Sequence, residues 1–143
     1  MPRPVNALII DDEAHVRVLL TALLKQMDIR TVWEAPDGTS GLAQAALHNP
    51  EVVLLDINLP EIGGLDVLSK LKAEHPKMPV IVVSAQSTVR TINRARELGA
   101  EGFVVKYAAK SEVFQMLSEA LDRIGGIMPI DSGGEEEAPQ APA

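Results

Sequence analysis

The sequence of 143 residues contains no cysteine. This excludes a disulfide framework, a thiolate metal site and a cysteine nucleophile, and a reducing cytosol is the simplest setting for such a chain. Aromatics are scarce, with one Trp, one Tyr and two Phe, so bases would find little to stack on. Positive charge is in deficit: the formal net charge is −7, which lacks the basic footprint of a nucleic-acid binder. Four of the negatives, Asp131, Glu135, Glu136 and Glu137, cluster near the end and leave the remainder only mildly acidic. Long apolar runs are also missing. The first, Val5 to Ile10, is too short for a signal h-region or a membrane span. A cytoplasmic chain with neither a nucleic-acid nor a membrane partner is expected.

The apolar segments that are present are short and β-branched, with little polar alternation: Val5–Ile10, Val52–Leu55, Val80–Val83 and Phe103–Val105. They read as strands buried on both faces, and Thr31–Glu34 reads as a short edge strand. Between them apolar residues recur at helical spacing, most clearly Val16, Leu19, Leu20, Leu23, Leu24, Met27 and again Val113, Met116, Leu117, Ala120, Leu121, Ile124. Weaker helical patterns run over 39–48, 65–75 and 88–98. The order βαβαβαβαβα implies an α/β fold with a parallel sheet and helices on both faces, because each parallel crossover needs a helix to return the chain right-handedly. The chain is expected to divide into a domain over 1–126 and a disordered, Pro/Gly-rich acidic tail over 127–143, with Gly125-Gly126 expected to stop the last helix after Ile124. The tail is too short and polar to form an output domain.

Ligands of open parallel sheets bind beyond the carboxyl ends of the strands, where strand order reverses. The residues at those ends are Asp11 and Asp12 after the first strand, Asp56 closing the third, Ser84 closing the fourth and Lys106 closing the fifth. With strand order 2-1-3-4-5 the first and third strands are neighbours, and Asp11, Asp12 and Asp56 converge. Three carboxylates so placed either retain a proton or bind a cation. All-oxygen donors favour Mg²⁺ or Mn²⁺ over zinc. Lys106 and Ser84 add a charge and a hydroxyl suited to an anionic tetrahedral group, which points to phosphoryl chemistry.

Each feature also has a plainer explanation. Asp11-Asp12 could terminate a strand and cap the next helix. Asp56-Ile57-Asn58, with Pro60 and Gly63-Gly64, could be ordinary turn chemistry. Ser84 or Ser87 could cap the fourth helix, Lys106 could be a solvated strand end, and Phe103 a core aromatic. His15, His48 and His75 lack ligand spacing, and Arg90 with Arg94 reads as a solvated helix face. It is the correlation across strand ends that favours function.

The set Leu8-Ile9-Ile10-Asp11-Asp12-Glu13, Leu54-Leu55-Asp56-Ile57-Asn58-Leu59-Pro60, Ser84-Ala85 and Gly102-Phe103-Val104-Val105-Lys106 closely resembles response-regulator receiver domains of two-component signalling, including the single-domain receivers of chemotaxis. The resemblance covers nearly all of 5–124 and implies a doubly wound, flavodoxin-like (βα)5 fold. The strand order 2-1-3-4-5 is a known property of that family. By resemblance, Asp56 accepts a phosphoryl group from a histidine kinase or a histidine phosphotransfer protein. Asp12 and Asp56 bind Mg²⁺ through side chains, Asp11 assists directly or through water, and Asn58 contributes its backbone carbonyl. Lys106 and Ser84 contact the transferring group, and Ser84 with Phe103 forms a switch that changes a surface read by a downstream protein target. The resemblance implies a monomer or weak dimer, and no enzyme beyond self-catalysed phosphotransfer and autodephosphorylation.

One departure stands out. Many receivers follow the lysine with proline, often in a cis bond, whereas here it is Tyr107. A cis bond is not expected there; the loop after Lys106 is expected to run differently, altering how the lysine is presented and how the last helix is entered, which bears on partner binding rather than on phosphate chemistry. Three other readings remain open: a phosphorelay intermediary passing its group to a second histidine protein, a Mg²⁺-dependent aspartyl-phosphate hydrolase, and a structural module of receiver fold. The hydrolase usually carries Asp-x-Asp, which Asp56-Ile57-Asn58 lacks. The module generally loses an acid, the acceptor or the lysine.

Overall fold

The computed structural model describes residues 4–85 and 88–126. The expected tail over 127–143 and the cap candidate Ser87 lie outside the described residues. Five strands, β1 (Asn6–Ile10), β2 (Thr31–Ala35), β3 (Val53–Asp56), β4 (Val80–Ser84) and β5 (Gly102–Val105), alternate with five helices. These are α1 (Ala14–Gln26), α2 (Gly38–His48), α3 (Gly64–Glu74), α4 (Val89–Glu97) and α5 (Lys110–Gly126). The strands pair in parallel in the order β2-β1-β3-β4-β5, which is the expected doubly wound arrangement.

The unbroken apolar character of the central strands follows from two cores, one on each face of the sheet. Successive strand residues point to opposite faces. Ala7 and Ile9 of β1, Leu54 of β3 and Ile81 and Val83 of β4 meet Val16, Leu20, Leu23 and Leu24 of α1 and Val113, Leu117, Ala120 and Leu121 of α5. Leu8 and Ile10, Val53 and Leu55, and Val80 and Val82 face the other way, onto Ala45 of α2, Val67, Leu68 and Leu71 of α3 and Ala95 of α4. Since β1 joins β2 on one side and β3 on the other, the crossovers from β1 and β3 depart in opposite directions and leave a cleft above their carboxyl ends.

Local signals set the element ends. Asp37 caps α2, its side chain accepting from the Ser40 N–H at 2.8 Å. The cap of α4 is Thr88, which accepts from the Thr91 N–H at 3.2 Å, so Ser84 does not fill that role. At α5, Glu112 reaches back to the Ala109 N–H at 3.1 Å, the returning half of a capping box. The described helix continues through Gly125 and Gly126 rather than stopping at Ile124, because backbone hydrogen bonding over four turns carries two poor helix formers at its end. At the amino-terminal ends of the strands, opposite the cleft, Lys72 donates to the Met78 carbonyl at 2.8 Å and to Glu101 at 2.7 Å, while Glu101 accepts from the Val80 N–H at 2.9 Å. This bracket ties α3 to the starts of β4 and β5.

Candidate functional site

Asp56 ends β3 with its side chain in the cleft and is 1% exposed. Its two oxygens are differently held: Oδ1 accepts from the Asn58 N–H at 3.0 Å, and Oδ2 faces Lys106 Nζ at 3.0 Å. Asp11, immediately after β1, is equally buried. Its Oδ1 accepts from the Glu13 N–H at 2.8 Å, which closes a tight turn into α1. The capping position of α1 is Glu13, and Glu13 makes no side-chain cap, so neither Asp11 nor Asp12 caps that helix. Asp12 is exposed, yet oxygens of Asp11, Asp12 and Asp56 lie within 4.8 Å of one another. The convergence expected from strand order is therefore present.

This cluster fits a divalent cation on a structural criterion. Asp11 Oδ2 is buried and lacks a hydrogen-bond partner among the described residues, although Lys106 Nζ approaches it at 3.0 Å outside hydrogen-bonding geometry. A buried, under-satisfied carboxylate oxygen beside a second carboxylate is costly. An ion bound by hard oxygen donors would relieve that cost. The electrostatics agree: burial holds the Asp11 carboxyl above its ordinary range and the Asp56 charge adds to this, while the Glu13 N–H and Lys106 pull the other way.

Lys106, first after β5, is buried rather than solvated. Its Nζ meets Glu13 Oε1 at 2.7 Å, Asp56 Oδ2 at 3.0 Å and Asp11 at 3.0 and 3.2 Å. Burial alone would lower the lysine's affinity for its proton, but hydrogen bonds to Glu13, Asp56 and Asp11 outweigh it and hold the ammonium above the ordinary lysine value. It is charged throughout the neutral range. Ser84 ends β4 fully buried, and the Lys106 N–H donates to the Ser84 carbonyl at 2.8 Å. Asn58 is exposed. Phe103 on β5 is half-buried against the second core, on the sheet face opposite Val104 and away from the carboxylates.

The glycines of the β3–α3 loop have specific duties. Left-handed backbone occurs at Glu61, with φ 63°, and not at Gly63 or Gly64. Gly64 instead permits close approach, since a Cβ there would lie 2.3 Å from the Asp56 carbonyl and 2.4 Å from Ile57 Cα. The loop behind Asp56 is folded tightly against its own strand.

Two contacts lay beyond the sequence reading. Glu13, which the sequence shows only as the residue after the Asp11-Asp12 pair, is a direct partner of Lys106. Tyr107, at the position whose departure bears on how the lysine is presented, donates its hydroxyl to Glu13 Oε1 and so belongs to the surroundings of the lysine. No cis peptide bond occurs among the described residues.

The fold agrees with comparisons to known proteins. A family model described as the response regulator receiver domain matches residues 7–118. The probable transcriptional regulatory protein TcrX of Mycobacterium tuberculosis is 35% identical over 133 residues, covering 93% of this chain and 56% of TcrX. The chain thus spans little more than half of that relative. Chemotaxis protein CheY of Listeria monocytogenes is 32% identical over 113 residues, covering 79% of this chain and 95% of CheY. Among solved structures, the CheX–CheY–BeF3–Mg complex of Borrelia burgdorferi aligns with a TM-score of 0.75 at 27% identity, over 82% of this chain and 89% of that one. The NtrX receiver domain of Brucella abortus aligns with a TM-score of 0.72 at 30% identity, over 81% and 98%. With five parallel strands in this order and an acidic cleft at their ends, the chain belongs to the response regulator receiver domain family of two-component signalling.

Proposed function

We propose that the chain takes a phosphoryl group onto Asp56 from a histidine kinase or a histidine phosphotransfer protein, and that the modified form is read by a downstream protein. The observation that carries this reading is the Asp56 carboxylate itself: buried, oriented at Oδ1 by the Asn58 N–H and faced at Oδ2 by Lys106. An Asp56 oxygen attacks phosphorus, a P–O bond forms as the P–N bond to the donor imidazole breaks, and the imidazole leaves with the electron pair. Asp11, Asp12 and Asp56, with the Asn58 carbonyl, are the residues that would hold Mg²⁺, which when bound offsets negative charge on the transferring group. Lys106 supplies a fixed ammonium for the same purpose, and Ser84 a hydroxyl donor at the end of the neighbouring strand. Later attack of water on the acyl phosphate releases inorganic phosphate and restores the carboxylate. Ser84 and Phe103 are the switch pair: the hydroxyl is drawn to the phosphoryl group, and the half-buried ring on β5 follows inward.

Incubation with acetyl phosphate and Mg²⁺, quenched rapidly and followed by intact-mass spectrometry, is expected to add one phosphoryl group to the wild type and none to Asp56→Ala. A wild type without the adduct, or an Asp56→Ala variant that still gains it, overturns the assignment.

A further inference from the structure

The ammonium of Lys106 has three N–H donors and faces three carboxylates, Asp11, Asp56 and Glu13. Its hydrogen-bonding capacity is therefore saturated at rest, and an entering anion gains a lysine donor only if a carboxylate yields. Asp11 and Asp56 are sealed in the cleft, each 1% exposed, whereas the Glu13 side chain is 33% exposed and has water to turn to. Glu13 is the partner able to give way. It also stands outside the group of carboxylates close enough to share a cation, so its commitment is to the lysine. What retains it there is Tyr107, whose hydroxyl donates to the same Oε1 that Lys106 contacts. The Tyr107 ring lies 5.7 Å from Nζ and is itself exposed, so Glu13 and Tyr107 together cover the solvent side of the lysine.

We propose that Tyr107 and Glu13 form a latch that holds Lys106 in its resting position and must open before the lysine engages an incoming phosphoryl group. Tyr107 is thus a positioning residue, acting through Glu13, that restrains phosphoryl capture. The inference rests on Asp56 being the acceptor. The reaction it slows is transfer from a small donor: a P–O bond to Asp56 forms as the P–O bond to acetate breaks, and acetate leaves with the electron pair.

The test is a double-mutant cycle on the full chain. Tyr107→Phe keeps the ring and removes the hydroxyl, and with acetyl phosphate and Mg²⁺ it is expected to form the Asp56 adduct on the order of fivefold faster than wild type, the scale of one ordinary hydrogen bond at an exposed position. In a Glu13→Ala background the same change is expected to have no further effect, because the partner through which it acts is gone. A purely structural role would persist in both backgrounds. As Tyr107 is the only tyrosine, absorbance titration of the metal-free protein reads its phenol directly. The phenol is expected to ionise above the ordinary tyrosine range in wild type and to fall back in Glu13→Ala. A wild type that is phosphorylated while Tyr107→Phe is no faster, or a phenol unmoved by Glu13→Ala, overturns the latch alone. A wild type that takes no phosphoryl group overturns the acceptor assignment and the latch with it.

Discussion

At the scale of single residues, the site is a balance between burying like charges and compensating them. Asp11 is held above its ordinary range first by burial and then by Asp56. For such an acid the folded state is favoured fully below the unfolded value of 3.8, and that advantage is lost as pH rises through the folded value, since the unfolded chain releases its proton more readily. In chelator at pH 7, Asp11→Asn is therefore expected to raise the urea midpoint above wild type, and the gap is expected to close as pH falls toward 4. The Asn oxygen can still accept from the Glu13 N–H, so the turn into α1 survives. A midpoint no higher than wild type at pH 7 would mean that Lys106 and the Glu13 N–H already outweigh burial.

At the scale of elements, the position of the Asp56 carboxylate depends on how α3 is seated. The first residue of α3 presses on the backbone of Asp56 and Ile57, so Gly64→Ala has to push the helix away from β3. We expect a loss of about 1–3 kcal/mol, the usual cost of overpacking, measured by urea unfolding, together with slower phosphorylation because Asp56 shifts with its strand end. The neighbouring Gly63 is a sharp contrast. It is the cap of α3, its backbone is extended at φ −65° and ψ 154°, and a Cβ there meets nothing within 4 Å. Gly63→Ser is expected to be neutral or to stabilise by about a few tenths of a kcal/mol as a side-chain cap is gained. Loss at both positions would place the effect in loop flexibility rather than close approach.

At the scale of the whole molecule, the two cores share one sheet, so an ion bound at the ends of β1 and β3 stabilises the entire fold. With Mg²⁺ at ten times its dissociation constant, the unfolding free energy is expected to rise by about 1.4 kcal/mol, and Asp11→Asn should lose most of that gain. Trp33 is a suitable reporter of unfolding because it lies on β2 at the sheet edge, stacked on His48 at 4.2 Å between ring centroids. For the same reason its fluorescence is expected to follow global unfolding and to respond weakly to Mg²⁺ in the folded state. Unfolding curves unchanged by Mg²⁺ would argue against a cation site in the carboxylate cluster.

Patterning alone determined the succession of elements and the polar residues at their ends. Short β-branched runs have one economical use, as strands covered on both faces, and helical spacing between them requires parallel crossovers. It also put Asp11, Asp12, Asp56, Ser84 and Lys106 at strand ends, where such sheets bind ligands. Tertiary structure decided which side chains meet. Lys106 lies in sequence far from Glu13, and no spacing rule links Glu13 to a lysine or to Tyr107; their contact exists because β5 returns beside β4 while α1 starts from the interior strand β1. Nor did pattern distinguish Gly63 from Gly64, since the difference is the distance to a neighbouring backbone. Periodicity is a property of the chain taken a few residues at a time. Contact across a cleft depends on where five strand ends come to rest together.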